Sequence, residues 1–123
     1  MSESAEEPTV ERVEPSPTEG VVVLALTGEL DLAIHGRFHA LVDEVVAEEP
    51  RAVVADVSGA GFMDSTMLRE LLRAHTALGA KGLAFVVAGP QPPVRRLLEL
   101  TGTDEMLSVA ASRDEALASI DGA

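Results

Sequence analysis

Val21-Val22-Val23-Leu24-Ala25-Leu26, closed by Thr27-Gly28 and followed by Glu29-Leu30-Asp31, is the stretch on which the fold turns. The apolar run is unbroken, β-branched at its start and short, so it reads as a strand. Half-buried strands alternate apolar and polar residues; an unbroken run implies a strand covered on both faces. After Asp31 the period changes. Phe38, Leu41, Val42, Val45 and Val46 recur at helical spacing, and Pro50 ends that helix. Ala52 to Val57 is a second buried strand, with Ser58-Gly59-Ala60-Gly61 expected as the turn after it. Met67, Leu68, Leu71, Leu72, His75 and Leu78 trace a second helix that Gly79 stops.

The same alternation continues to the end. Leu83 to Ala88 is a third strand, and Pro93 suits the first turn of a helix whose apolar face is Val94, Leu97 and Leu98. Gly102 is placed to cap it. Met106 to Ala110 reads as a last strand, and Ser112 with Glu115 as a capping box for a final helix over Ala116, Leu117 and Ile120. Upstream, residues 1–19 hold six Glu, three Pro and one Arg, an acidic arm in which Thr9 to Val13 can form an edge strand. Two segments are therefore expected: the acidic arm at 1–19 and one folded α/β domain at 20–123. Its sheet is mixed and mostly parallel, with an antiparallel edge at the N-terminus and four helices.

Length and composition narrow the function. A chain of 123 residues is one domain and buries enough surface to need no staple. With no cysteine, disulfides, thiolate metal sites and cysteine catalysis are excluded. The net charge of −12, from 21 acidic against 9 basic residues, opposes nucleic acid and anionic membrane surfaces. Three Phe with no Trp or Tyr leave little for base stacking. Met1 to Glu7 is polar and acidic, unlike a signal peptide, so a cytoplasmic protein with a protein partner is expected.

Ligand and partner sites in open α/β sheets gather at the carboxyl ends of strands. Two such ends carry chemistry: Gly28-Glu29-Leu30-Asp31, and Phe62-Met63-Asp64-Ser65-Thr66 at the start of the second helix. Asp31, Asp64, Ser65 and Thr66 are all suitable helix caps. At the second end a phosphorylatable hydroxyl is the other reading. Other signals are bland. His35 and His39 have metal-compatible spacing but no third ligand, His75 reads as a packed histidine, and Gly79-Ala80-Lys81-Gly82 lacks the phosphate-loop pattern. Asp56 near a strand end invites comparison with a phospho-accepting receiver, without the acidic cluster and late lysine that chemistry needs. Asp43, Glu44, Glu48 and Glu49 form a polar helix face able to steer a basic partner.

Gly28-Glu29-Leu30-Asp31, Phe62-Met63-Asp64-Ser65, and Pro93-Val94-Arg95-Arg96-Leu97-Leu98 with Thr101-Gly102 together resemble the STAS domain family, over about residues 20–120. The likeness is to its bacterial anti-sigma factor antagonists. That resemblance implies a non-catalytic protein that binds an anti-sigma factor with serine kinase activity and is released when the kinase phosphorylates one serine. Ser65 matches that serine, with Thr66 the alternate acceptor. The family's Asp-Ser-Ser-Gly reads Asp64-Ser65-Thr66-Met67 here. The docking surface implied is Glu29, Asp31, Asp64, Ser65, Thr66 and Met67, with ATP and Mg²⁺ brought by the partner and no cofactor or metal held by this chain. The alternatives are a STAS adaptor without a phosphorylation cycle, in a signalling or transport assembly, and, third, a nucleotide-binding enzyme.

Overall fold

The structure, a computed structural model, describes residues 7–121. Most of the acidic stretch Met1 to Glu7 therefore lies outside the described residues. Strands β1 (Thr9–Arg12), β2 (Val21–Leu30), β3 (Ala52–Met63), β4 (Ala84–Ala88) and β5 (Ser108–Ala110) form one sheet in sequence order. β1 runs antiparallel to β2, and every other neighbouring pair is parallel. Helices α1 (Leu32–Glu48), α2 (Ser65–Gly79) and α3 (Pro92–Thr101) make the crossovers, and α4 (Arg113–Asp121) follows β5.

The unbroken apolar strands are explained by cover on both faces. Val22, Leu24, Leu26, Val53, Ala55, Val57, Phe85 and Val87 pack against α1, α2 and α3. Their strand neighbours Val21, Val23, Ala52, Val54, Val86 and Ala88 face the other way, toward Ala116, Leu117 and Ile120 of α4. Alternate residues of a strand point to opposite faces, so each face needs its own apolar set. The first helical stripe behaves as its spacing requires: Ile34, Phe38, Val42 and Val45 are buried.

Three boundaries differ from the sequence reading. β2 does not stop at Thr27-Gly28, and Ser58-Gly59-Ala60-Gly61 is strand, not turn. Past Ala25 and Asp56 the two strands keep pairing, through register shifts at Ala25/Thr27 and Gly28/Glu29. Small residues serve close approach here: a Cβ on Gly59 would lie 3.2 Å from the Thr27 methyl carbon. The last strand is shorter than expected, because Thr103–Glu105 forms a 3₁₀ turn and the Met106 and Leu107 N–H groups still donate to the Thr103 carbonyl. His75 is half-buried, not packed in the core; Ala74 takes the inward position between Leu71 and Leu78.

The helix ends follow local chemistry. Gly102 caps α3 at φ 74, a left-handed conformation in which a Cβ is penalised. Half of the expected capping box is present, since the Ser112 hydroxyl accepts the Glu115 N–H at 3.1 Å. The acidic face of α1 is partly neutralised from within. Glu48 takes a bidentate Arg12, Asp43 takes Arg73, and Glu49 takes Lys81. Electrostatic steering by that face is correspondingly weakened.

Candidate functional site

The overhang of β2 and β3 builds the site. Their last register pair is Leu30 with Met63, both buried, so α1 and α2 start side by side at the carboxyl edge of the sheet. The Asp64 N–H donates to the Leu30 carbonyl at 3.1 Å and ties the two strand ends together. Each helix is then capped by its own aspartate. Asp31 Oδ1 accepts the Ala33 N–H at 3.0 Å, and Asp64 Oδ1 accepts the Met67 N–H at 2.9 Å. The bland reading of both carboxylates, as caps satisfying orphan backbone donors, is what the geometry shows.

That division of labour determines what Ser65 does. Asp64 takes the cap, so Ser65 is the first residue inside α2, exposed, and its hydroxyl makes no hydrogen bond among the described residues. Thr66 is the next residue and half-buried. Glu29 is exposed and Asp31 half-exposed on the neighbouring strand end. The fold therefore brings Glu29, Asp31, Asp64, Ser65 and Thr66 to one edge. Met67 is not with them. Its side chain is 0% exposed, in the core with Leu68 and Leu71, so its expected place on the docking surface is corrected. At helical spacing it occupies an inward position, and inward positions at a strand–helix junction face the sheet.

Sequence reasoning passed over a neighbour of this edge. Phe62 stands beside Glu29 in register and is 48% exposed. With Met63, Pro93, Arg96, Leu97 and Leu100 it lines a depression of ≈ 360 Å³. One signal was available: in a strand, adjacent Phe62 and Met63 must face opposite ways, so a buried Met63 turns Phe62 outward.

Elsewhere, two charged groups are committed to structure, Asp56 and Glu70. Asp56 is nearly buried, with Oδ1 accepting the Ser58 N–H at 2.9 Å and Oδ2 accepting Arg113 Nε at 2.9 Å. Burial by itself pushes this carboxyl up, but the Ser58 hydrogen bonds and the Arg113 guanidinium outweigh it and hold the group below the usual carboxylate range. Its role is to fasten α4 across the sheet. His39 Nδ1 lies 3.0 Å from Glu70 and links α1 to α2. Among the described residues no cluster of His, Cys, Asp and Glu has the makings of a metal site, and no helix is long and apolar enough to cross a membrane.

A family profile described as the STAS domain matches residues 12–116. The chain belongs to the STAS domain family. Its mixed five-stranded sheet with four helices is the STAS fold. The anti-sigma-F factor antagonist RsfB of Mycobacterium tuberculosis is 31% identical over 103 residues, 84% of each chain. An anti-sigma F factor antagonist of Paenibacillus polymyxa is 26% identical, over 89% of this chain and 95% of that one. Among solved structures, an anti-sigma factor antagonist from Mycobacterium paratuberculosis superposes with a TM-score of 0.83 at 29% identity, covering 94% of this chain and 95% of its own.

Proposed function

We infer that this STAS domain is an anti-sigma factor antagonist: it binds an anti-sigma factor that is also a serine kinase, and phosphorylation of Ser65 ends the complex. The observation that carries the reading is the exposed Ser65 hydroxyl, left free because Asp64 supplies the cap of α2. The names of its relatives support the first half of the statement, since RsfB and the Paenibacillus protein are both antagonists of anti-sigma-F factors.

The mechanism follows from charge at a helix start. A phosphate on Ser65 adds roughly −1.5 to −2 at pH 7. The positive end of the α2 dipole tolerates that charge, so the fold survives modification. A partner lying over the same edge does not, because the phosphate must be desolvated beside Asp64, which repels it. Catalysis belongs to the partner, which brings ATP and Mg²⁺; this chain supplies the acceptor.

The test is incubation of the full chain with its cognate kinase and ATP, followed by mapping of the phosphosite. Modification at Ser65, abolished in Ser65→Ala, is expected. Ser65→Asp should weaken partner binding about tenfold or more while circular dichroism and melting stay near wild type. Phosphate on another residue with Ser65→Ala still modified, or unchanged affinity of Ser65→Asp, overturns the assignment.

A further inference from the structure

Three large apolar side chains stand exposed among the described residues: Phe62 at 48%, Met106 at 60% and Leu100 at 72%. Two of them, Phe62 and Leu100, share one depression with Met63, Pro93, Arg96 and Leu97. Its construction is separate from the core. β4 ends at Ala88, opposite Asp56, so the rest of β3 has no β4 partner and overhangs the sheet. On α3, Val94 and Leu98 face inward, leaving Leu97 and Leu100 as neighbours on a flank. The overhanging strand end and that flank form the two walls.

Charge marks the rim. Arg12, Arg51, Arg73, Lys81 and Arg113 each pair with a carboxylate of this chain. Arg37, Arg69, Arg95 and Arg96 are exposed and form no such pair among the described residues, and of these four it is Arg96 that lines the depression. A guanidinium beside an apolar seat is complementary to a carboxylate that arrives next to an apolar side chain. Phe62 precedes Ser65 by three residues, so seat and hydroxyl lie at the same edge.

We propose that this depression is the anchor point for the anti-sigma factor, taking one apolar side chain of that partner and pairing an adjacent partner carboxylate with Arg96. The proposal rests on the function inferred above and adds the seat and its chemistry. It also accounts for release. A phosphate on Ser65 repels the carboxylate that Arg96 attracts, so the same partner group reads both charges. A few desolvated anchors carry most of the energy of a typical interface, which is the role assigned to Phe62 and Leu100.

The test is calorimetric titration of the unphosphorylated full chain with the anti-sigma factor of the same genome. Phe62→Ser and Leu100→Ser should each weaken binding about tenfold or more. Arg96→Glu should weaken it too, while Arg96→Lys retains most affinity. Met106→Ser, as exposed but outside the depression, should bind like wild type. Melting curves within about 2 °C of wild type confirm folding in each case, as exposed substitutions allow. Affinities of Phe62→Ser and Leu100→Ser within about twofold of wild type, with Ser65 phosphorylation still releasing the partner, overturn the anchor and leave the function standing. Sedimentation showing a dimer that Leu100→Ser dissociates overturns it as well, by assigning the seat to a second copy. No binding by the wild-type chain brings down the functional reading, and the anchor with it.

Discussion

Replacing Met67 by the glycine that the family pattern carries should damage this protein severely. The side chain projects from α2 and is fully buried in the main core. Truncating a buried Met to Ala costs about 2–5 kcal/mol, in lost transfer energy and a partly uncollapsed cavity. Glycine inside a helix adds about 1 kcal/mol relative to Ala. The sum is about 3–6 kcal/mol. Unfolding entropy for a chain of 123 residues is roughly 0.26 kcal/mol/K, so Tm should fall by about 12–23 °C. Met67→Leu, which nearly conserves volume, should cost less than about 1.5 kcal/mol, or about 6 °C. Scanning calorimetry reads the shifts, and urea unfolding checks that the m-value is unchanged, so that a lower midpoint means lower stability. A fall of under about 4 °C for Met67→Gly would refute the reasoning, because it corresponds to about 1 kcal/mol and no buried methionine is lost that cheaply.

The cap and the clasp can be tested alongside. Asp64→Ala removes the acceptor of the Met67 N–H and should cost about 1 kcal/mol, or about 4 °C, whereas Asp64→Asn, an equally good cap, should stay near wild type. Asp56 should give stability a pH dependence. Its folded-state carboxyl is held below its ordinary value, so its contribution is complete above the unfolded value of about 4 and is lost as pH falls toward the lower folded value. Asp56→Asn should therefore be about 1–3 kcal/mol less stable than wild type at pH 7 by urea unfolding, with the gap closing below about pH 4. A gap that is constant with pH would show that the Arg113 contact contributes nothing through charge.

Much of the fold was legible because the signals were local. The run Val21 to Leu26 announced a strand covered on both faces, and alternate residues do pack on two separate helix layers. Gly102 and Ser112 acted as the caps their residue types favour. The boundaries that were misread share one cause. Thr27-Gly28 and Ser58-Gly59-Ala60-Gly61 have turn composition, yet they pair with each other across the overhang. Whether small residues bend a chain or let two chains approach is decided by a partner strand more than 25 residues away in sequence, as Thr27 with Gly59 shows.

The amino-acid sequence by itself determined the order of strands and helices, the exclusion of cysteine chemistry, and the motif residues around Ser65, because periodicity, cap preference and composition act within a few residues. The tertiary structure decided how those motif residues divide their work. Asp64 takes the cap and leaves the exposed Ser65 hydroxyl without a hydrogen bond among the described residues, Met67 turns inward, and Phe62 turns outward to meet Leu97 and Leu100 of α3. These assignments depend on which side of each element faces the sheet, and that is fixed by packing between segments far apart along the chain.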